Sequence, residues 1–326
     1  MRCPTLSELP PPPSGKTGWP WTKASLQLPD KMLDGSEWPK ISIVTPNYNY
    51  GQFIEETIRS VLLQGYPNLE YIVLDANSTD DSVEIIKKYE AWLSYWVSEP
   101  DGGQSAAINR GFQKASGEIY YWINSDDILN QETLKEVSNF YIKHPDCHFL
   151  TGDGYFFRDD GYKHEYIYYI KANSYSFNEL LQFHKDKYLP QPSVFFSKKL
   201  WYDINGLNVN LSYSMDLDFW LRARKVYNLY YFSNCLSFLR LHSDSKTCGQ
   251  NIFLIQEVRE TLIKYLDTDS MGLIRKLLTK IEINHFYAQA IYKKVILEYK
   301  QGHILNSFVW LCKHLWYSLP NPFSFP

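Results

Sequence analysis

Four short apolar runs separated by helix-patterned segments constrain the fold of this chain more than any other feature. The runs have the length and the aromatic or β-branched content of buried strands, and they lie at residues 41–45, 71–74, 95–97 and 119–123. The intervening segments repeat apolar residues at the spacing of one helix face, and they lie at residues 53–62, 82–89 and 105–114. This alternation predicts an α/β fold with a doubly wound, mostly parallel mixed sheet flanked by helices.

Polar residues follow each of the four predicted strands. Asp75 ends the second run, Asp101 lies in the turn after the third, and the fourth is followed by Asn124, Asp126 and Asp127. Any one of these acids could be a helix cap, but parallel strands bring their carboxyl ends to one edge of the sheet, where ligands bind. Adjacent carboxylates at such an edge offer hard oxygen ligands to Mg²⁺ or Mn²⁺ beside a phosphorylated ligand.

Composition and motifs argue against several other classes of protein. No Gly-x-Gly-x-x-Gly follows the first predicted strand, which argues against a dinucleotide cofactor. Gly15, Lys16 and Thr17 mimic the end of a P-loop, but Pro10 stands where that motif needs glycine. The net charge of −3 at pH 7 provides no basic face, so we expect no nucleic-acid partner.

Two segments of different composition frame the alternating region. Residues 1–40 contain four consecutive prolines and three tryptophans, which predict an extended arm that packs on its own domain or binds a partner's groove. After residue 247 the pattern changes to amphipathic stretches at 252–266, 273–283, 286–299 and 304–317. We therefore expect an arm (1–40), one domain with two halves (41–130 and 131–247) and a helical C-terminal extension (248–326).

Cysteine usage and hydropathy predict a cytoplasmic protein. The five cysteines include no C-x-x-C pair, which argues against a disulfide framework and a zinc ribbon. Residues 1–13 lack an apolar signal core, and no run of about 18 apolar residues occurs in the sequence. The stretch 304–317 is expected to dock on its own domain or on a second subunit in a homodimer, and the alternative is peripheral contact with the inner face of the plasma membrane.

Several short motifs between residue 41 and about residue 247 give this sequence a resemblance to inverting family 2 glycosyltransferases of the GT-A fold, of a bacterial type. Each motif is weak alone, but the order and spacing of the set are specific. The motifs are Thr45-Pro46-Asn47-Tyr48-Asn49, Asp75-Ala76-Asn77-Ser78-Thr79-Asp80, Asp101-Gly102-Gly103-Gln104, Asn109-Arg110-Gly111, Asn124-Ser125-Asp126-Asp127, Gln191-Pro192-Ser193, residues 215–222 and Arg240-Leu241-His242. The resemblance implies transfer of a monosaccharide from a nucleotide-sugar to a hydroxyl of a glycan or lipid-linked acceptor, in the synthesis of cell-surface polysaccharide.

The resemblance also implies roles for individual residues. Those expected to bind the nucleotide are Thr45, Pro46, Asn47, Tyr48, Asp75, Asp101, Gly103, Asn109 and Asn124. Asp75 would accept a hydrogen bond from a pyrimidine-type base, which makes a UDP-sugar the first choice of donor. The residues expected to bind Mn²⁺ or Mg²⁺ are Asp126, Asp127 and His242, and an imidazole ligand suits Mn²⁺ better. Contact of His242 with a phosphate group is the alternative. An aspartate often stands in the family at the position of Asn124.

An inverting transfer needs a base that removes the proton of the acceptor hydroxyl. Asp216 and Asp218 are the candidates, and residues two apart on a helix project to nearly opposite sides, so the two cannot serve equally. Asp218 lies four residues before Arg222, the spacing of a helical ion pair. Asp216 matches the base position of the family, and Trp220 on the same face is a candidate wall for a sugar ring. Gln191 is a further candidate contact to donor or acceptor.

Two other functions remain open from the sequence. Nucleotidyl transfer to a sugar phosphate shares the sheet type and the metal requirement, but it would be expected to show a glycine-rich basic loop where this chain has residues 48–51. A non-catalytic carbohydrate-binding or assembly protein is suggested by Asn124 and opposed by Asp126, Asp127, Asp216 and His242. A hairpin is also predicted over residues 155–170, with Asp159-Asp160-Gly161 as its turn. Its tyrosines are expected to pack in the core or at the sheet edge, and the alternative is a surface near the acceptor.

Overall fold

The computed structural model describes residues 1–159, 164–243, 245–246, 252–268 and 272–300. The chain divides into two compact units. The first unit consists of Met1–Ser174, Leu189–Asn210 and Arg222–His242. The second consists of Tyr175–Tyr188, Leu211–Leu221 and the described residues from Ser243 onward.

The first unit is built on a mixed sheet of nine strands. In chain order they are β1 (Ile41–Asn47), β2 (Leu69–Asp75), β3 (Tyr95–Ser98), β4 (Ile119–Trp122), β5 (Ile128–Leu129), β6 (Phe149–Asp159), β7 (His164–Ile170), β8 (Val194–Ser197) and β9 (Leu229–Arg240). The spatial order is β3-β2-β1-β4-β8-β6-β9-β5, with β7 paired to β6. Strands β1 to β4 are parallel to one another, whereas β8 pairs antiparallel with both β4 and β6. The predicted α/β fold with a mostly parallel, mixed sheet is therefore confirmed.

Nine α-helices occur in the described part of the chain. They are α1 (Gly51–Leu62), α2 (Ser82–Lys88), α3 (Gln104–Lys114), α4 (Thr133–Lys143), α5 (Phe177–Leu180), α6 (Lys198–Asp203), α7 (Met215–Val226), α8 (Ile252–Thr268) and α9 (Leu273–Lys300). The helices α1, α2 and α3 are those predicted between the first four strands. Close packing of α3 on β1 requires a glycine, because a Cβ atom at Gly111 would lie 2.6 Å from the Val44 side chain.

The N-terminal arm packs on the rest of the first unit through buried polar contacts. The Arg59 side chain in α1 is fully buried, and its guanidinium donates to the carbonyls of Pro10, Pro20 and Trp21 and to the Tyr89 hydroxyl. The Trp21 ring also lies against this guanidinium, with 5.4 Å between Cζ and the ring centroid. The arm thus supplies three of the four acceptors around a buried cation.

The predicted hairpin is formed by β6 and β7, which pair antiparallel. Its turn residues Asp160 and Gly161 and the neighbouring Tyr162 lie outside the described residues. Tyr166 and Tyr168 are 55% and 60% exposed, so these rings are not part of the core. Strand β7 pairs with β6 alone in the described structure, and its tyrosines therefore lie on a sheet edge, one of the positions expected from the sequence.

The second unit contains the long C-terminal helices α8 and α9. Residues 273–283 and 286–299, predicted as separate stretches, form the single helix α9, because Asn284 and His285 do not interrupt a helix as Gly or Pro would. The predicted stretch 304–317 lies outside the described residues. None of the described helices is long and apolar enough to cross a membrane.

Candidate active site

The carboxylate of Asp75 is buried at the end of β2 and accepts hydrogen bonds from four groups. They are Asn47 Nδ2 at 2.7 Å, the Ser78 backbone N–H at 2.9 Å, and the hydroxyls of Ser78 and Ser98 at 2.5 and 2.6 Å. Asn47 ends β1 opposite Asp75 in the parallel register, which brings the pair together. Asn47 Oδ1 is buried and has no hydrogen-bond partner among the described residues. The strand ends thus present a buried acceptor that a ligand N–H group can satisfy.

The loops after β1 and β2 hold each other in place beside Asp75. The Asn49 backbone N–H donates to the Ser78 hydroxyl at 2.8 Å, and Asn49 Oδ1 accepts from the Thr79 backbone N–H at 2.8 Å. The carboxylate of Asp80 accepts from the backbone N–H of Gly51, the first residue of α1, at 2.8 Å. These bonds hold the two loops in a fixed position at this edge of the sheet.

The other predicted nucleotide residues on β1 differ in their exposure. The Tyr48 ring is 60% exposed and open to a ligand. Thr45 is fully buried, and its hydroxyl lies 3.1 Å from the Tyr71 hydroxyl, so its side chain faces the core. Pro46 is buried as well. The geometry therefore favours Tyr48 and Asn47 as the residues of this turn that reach a ligand.

The Asn124 side chain lies at the centre of a network of amides. Its Oδ1 accepts from Gln104 Nε2 at 2.7 Å, and its Nδ2 donates to Gln191 Oε1 at 2.9 Å and to Asp127 Oδ2 at 3.4 Å. Gln191 Nε2 donates in turn to the Trp122 carbonyl at 3.0 Å. The structure thus brings the predicted residues Asn124 and Gln191 together, and it adds Gln104, which the sequence did not single out.

The remaining predicted nucleotide residues have scaffold contacts. The Asp101 carboxylate accepts from the Gly103 backbone N–H at 2.7 Å in the turn before α3, where Gly103 has a φ of 104° that favours glycine. Asn109 exchanges two hydrogen bonds of 2.9 Å with the backbone of Leu207. Contact of these three residues with a nucleotide stays a prediction.

Asp126 and His242 meet beyond the ends of β4 and β9. Asp126 Oδ2 lies 3.0 Å from His242 Nε2, and His242 Nδ1 is buried without a hydrogen-bond partner among the described residues. The rings of Tyr50 and Phe53 pack on the imidazole, with centroid distances of 5.4 and 4.5 Å. The two candidate metal ligands are therefore paired and held in position.

The donor set of Asp126 and His242 fits a divalent metal. A carboxylate oxygen and an imidazole nitrogen together suit Mn²⁺. These two residues would hold such an ion, and their Oδ2 and Nε2 atoms lie 3.0 Å apart. The carboxylate of Asp127 instead accepts from the Arg240 backbone N–H at 3.1 Å and from Asn124. Burial, followed by the charge of Asp126, raises the pKa of Asp127 well above its ordinary value. Metal binding by Asp127 stays a prediction.

A second cluster of acids and histidine lies behind the Asp126 loop. Glu56, Asp159 and His164 place their ligand atoms within 4.8 Å of one another. The Arg240 guanidinium donates to Asp159 at 2.8 Å, to Glu56 at 2.6 Å and to the Asp126 carbonyl at 2.9 Å. Burial alone would raise the pKa of Glu56, but hydrogen bonding to His164 and the charge of Arg240 hold it below its ordinary value. Because Arg240 supplies the positive charge that a metal would bring, we interpret this cluster as an ion-pair network that supports the loop.

Asp216, the predicted base, lies in the first turn of α7 in the second unit and is half-buried. Burial raises its pKa from 3.8 to about 6, against the hydrogen bond from the Leu217 backbone N–H, which is 2.7 Å long. The charge of Glu257 raises the pKa further, and that of Lys246 lowers it. A carboxylate with such a pKa is ionised near neutral pH and basic enough to accept a proton from a hydroxyl.

Two neighbours of Asp216 on α7, Asp218 and Trp220, are more deeply buried. Asp218 accepts a hydrogen bond of 2.7 Å from the Tyr265 hydroxyl, and Arg222 donates to the carbonyl of Ile204. Trp220 is 3% exposed, so its ring presents almost no surface. Its assignment as a wall for a sugar ring stays a prediction.

The structure gives roles to three residues to which the sequence analysis assigned none. Gln104 contacts Asn124, Arg240 supports the Asp126 loop, and Glu257 hydrogen-bonds to the segment before Asp216. Gln104 and Arg240 belong to motifs quoted above, so membership of those motifs was a sequence signal that could have identified them. Glu257 lies in an amphipathic helix and carries no sequence signal of its own.

Comparison with known proteins identifies the group of proteins that this chain resembles. Residues 42–202 match the family model described as Glycosyl transferase family 2. An uncharacterized glycosyltransferase of Rickettsia typhi, RT0329, is 27% identical over 228 residues, which are 67% of this chain and 69% of the relative. The poly(ribitol-phosphate) beta-N-acetylglucosaminyltransferase TarS of Staphylococcus aureus is 34% identical over 110 residues, which are 32% of this chain but only 19% of that enzyme.

Two solved structures share the fold. The crystal structure of residues 1–349 of S. aureus TarS in complex with UDP-GlcNAc matches with a TM-score of 0.55 and 18% identity, over 78% of this chain and 72% of that one. A mannosyltransferase from Pyrobaculum calidifontis in complex with GDP-Man and Mn²⁺ matches with a TM-score of 0.55 and 16% identity, over 92% of this chain and 85% of that one. At these identities the likeness establishes the fold alone, and it is the GT-A type expected above.

Proposed function

The chain belongs to glycosyltransferase family 2, and from this premise we propose that it transfers a monosaccharide from a UDP-sugar to a hydroxyl of a cell-surface polymer, with inversion at the anomeric carbon. UDP-GlcNAc is the first donor to test, because it is bound by the structural relative TarS. A polymer such as poly(ribitol phosphate), named for the same relative, is the first acceptor.

The observation that carries this proposal is the arrangement of polar groups at the strand ends of the first unit. Asn47 and Asp75 place a free acceptor and a buried carboxylate beyond β1 and β2. Asp126 and His242 place a metal-compatible pair beyond β4 and β9. A nucleoside and a diphosphate need these two kinds of partner, one for the base and one for the charge.

Each group has a role in the proposed reaction. Asn47 and Asp75 hold the base, and the Asn124 amide accepts from a ribose hydroxyl. Asp126 and His242 would hold Mn²⁺, which supplies neutralisation of the negative charge on the departing diphosphate. Arg240 keeps the carbonyl of Asp126 in place through its Nε.

Asp216 acts on the acceptor. Its carboxylate takes the proton of the acceptor hydroxyl while the hydroxyl oxygen bonds to the anomeric carbon and the bond from that carbon to the UDP oxygen breaks. The oxocarbenium-like transition state is also stabilised by nearby negative charge. The raised pKa of Asp216, about 6, supports this role because the group is both ionised and basic near neutral pH.

A transfer assay tests the proposal. The wild-type protein is incubated with UDP-GlcNAc, other UDP-sugars and GDP-mannose, with Mn²⁺ or with EDTA, and with poly(ribitol phosphate) or a simpler polyol phosphate as acceptor. We expect acceptor-dependent release of UDP that EDTA abolishes and that Asp216→Asn and Asp126→Ala both prevent. Binding of nucleotide-sugar without turnover under every condition would instead favour the non-catalytic carbohydrate-binding alternative.

A further inference from the structure

Three polar side chains on one face of α8 contact the segment that carries Asp216. Glu257, Thr261 and Tyr265 are spaced four residues apart, so they lie on the same side of the helix. All three belong to the second unit, as do Asp216 and the residues just before it. Helix α8 lies beyond residues 42–202, the part of the chain that matches the family.

Glu257 binds the backbone that leads into α7. Its Oε1 accepts from the backbone N–H groups of Tyr213 and Ser214, both at 2.7 Å, and its Oε2 accepts from the Ser212 N–H at 3.1 Å. The Ser214 hydroxyl also donates to Oε1 at 3.1 Å. One carboxylate therefore holds three successive N–H groups immediately before the helix that begins at Met215. A negative charge at this end of a helix is also favoured by the helix dipole.

The two other residues of this face extend the contact on both sides of Asp216. The hydroxyls of Thr261 and Ser214 lie 2.9 Å apart, two residues before Asp216. The Tyr265 hydroxyl donates to the carboxylate of Asp218 at 2.7 Å, two residues after it. Thr261 is 4% and Tyr265 7% exposed, so these contacts are shielded from water.

We propose that this face of α8 is a positioning element for the base of the reaction, so that the C-terminal extension is part of the catalytic machinery. The inference rests on the proposed function of Asp216. Hydrogen bonds at residues 212–214 and at Asp218 hold the backbone on both sides of the base, which fixes where its carboxylate lies relative to the acceptor hydroxyl. Misplacement of a reacting group by about 1 Å costs on the order of 100-fold in rate.

The local charges support the same assignment. Burial alone would raise the pKa of Glu257, but the N–H groups of Ser214, Tyr213 and Ser212 hold it below its ordinary value, so Glu257 is ionised. The charged groups that act on Asp216 are Glu257, which favours its protonated form, and Lys246, which favours its ionised form. Glu257 therefore both holds the segment and makes the base stronger.

The test compares substitutions on this face with a matched one on the same helix. Glu257→Gln, Thr261→Val and Tyr265→Phe remove hydrogen bonds with little change in volume, and Thr261→Ser restores the hydroxyl. Glu260→Gln removes one acid from an exposed position of α8 and is the control. Readouts are kcat, KM for the donor, UDP affinity by calorimetry, and amide hydrogen exchange of residues 212–217.

We expect Glu257→Gln to lower kcat by roughly 10- to 100-fold and to speed exchange at residues 212–217, with the UDP affinity changed by less than about twofold. Thr261→Val should lower kcat less, Thr261→Ser should recover it, and Glu260→Gln should match the wild type. Loss of thermal stability with unchanged kcat in the folded fraction would overturn the proposal, and so would unchanged exchange in Glu257→Gln.

The outcomes separate this inference from the function on which it rests. A wild-type protein without transfer activity refutes the proposed function, and the positioning role with it. An active wild type that is inactivated by Asp216→Asn but tolerates all three α8 substitutions refutes the positioning role alone.

Discussion

Asp75 and Asp216 are two carboxylates of one chain with different numbers of hydrogen-bond donors around them. In the first unit, Asp75 accepts hydrogen bonds from three side-chain groups and one backbone N–H. In the second unit, Asp216 accepts from the backbone N–H of Leu217, and burial raises its pKa to about 6. Several donors around a carboxylate fix its orientation for recognition, whereas burial with few donors raises the pKa of a carboxyl group and makes it a stronger base. The same residue type thus suits recognition in one unit and proton transfer in the other.

The largest effect is expected when the carboxylate of Asp216 is removed. Asp216→Asn should lower kcat by about 10²- to 10⁴-fold and leave UDP affinity unchanged, because an amide cannot accept the proton. Steady-state kinetics and calorimetry on the same preparation measure the two quantities. Asp218→Asn is the matched variant, and it should cost far less activity. Equal losses in the two variants would contradict the assignment of the base.

The donor-rich carboxylate should show the opposite pattern. Asp75→Asn replaces a charged acceptor of four hydrogen bonds, and hydrogen bonds to charged groups contribute about 1.5–3 kcal/mol each. We expect UDP affinity to fall by at least tenfold, together with a lower Tm, as measured by calorimetry and thermal denaturation. Asp81→Asn, at an exposed position in the same loop, is the control and should bind UDP normally. Normal UDP binding by Asp75→Asn would remove Asp75 from the base pocket.

Metal affinity should depend on the first unit and not on the second. His242→Gln removes the imidazole that lies 3.0 Å from Asp126, and we expect Mn²⁺ to bind at least about tenfold more weakly. Asp216→Asn should bind Mn²⁺ as the wild type does. Titration with Mn²⁺, followed by calorimetry in the presence of UDP, measures both, and unchanged affinity in His242→Gln would place the metal elsewhere.

The raised pKa of Asp216 predicts how activity depends on pH. The base acts only when ionised, so kcat should rise with pH through a midpoint near 6 and level off above it. Saturating concentrations of donor and Mn²⁺ keep any change in the binding of either one from contributing to the profile. Glu257→Gln should move the midpoint downward, because loss of a nearby negative charge lowers the pKa of a carboxyl group. A midpoint near 4 in the wild type would contradict the burial of this group.

The smallest effect on Mn²⁺ binding is expected when a contact between the N-terminal arm and the rest of the first unit is removed. Trp21 Nε1 donates to Glu56 at 2.9 Å, and Glu56 in turn binds Arg240 beside the Asp126 loop. Trp21→Phe should lower the free energy of unfolding by about 1–3 kcal/mol and weaken Mn²⁺ binding slightly. Trp38→Phe also loses an indole hydrogen bond, to the Pro29 carbonyl, and should destabilise the fold without changing Mn²⁺ affinity. Equal Mn²⁺ affinity in both variants would show that the hydrogen bond between Trp21 and Glu56 has no effect on the Asp126 loop.

The strand-end residues could be predicted from the sequence because their positions follow from local pattern. The ends of β1, β2 and β4 are marked in the sequence by the change from an apolar run to polar residues. Parallel pairing of these strands then places Asn47, Asp75 and Asn124 on one edge. The resemblance to the family also indicated that Asp126 and His242 act at the same site, although 116 residues separate them.

The support of Asp216 could not be predicted in this way. Glu257 lies 43 to 45 residues from the N–H groups it binds, and on an amphipathic helix an acid usually marks the solvent face. The burial of Trp220 was equally hidden, because a tryptophan on a helix face has the same pattern in a core as beside a sugar. Contacts between distant segments depend on packing that no short sequence window contains.

The buried guanidinium of Arg59 has a consequence for how this chain can be divided. Three of its four acceptors are carbonyls of Pro10, Pro20 and Trp21, all of which precede the family-matched region that begins at residue 42. Stripping a buried charge of its partners costs about 3–5 kcal/mol, a large share of the roughly 5–15 kcal/mol that stabilises a typical domain. The family-matched region and the cooperative folding unit therefore have different borders. A fragment that begins at residue 42 would contain the buried Arg59 cation without three of its four hydrogen-bond acceptors.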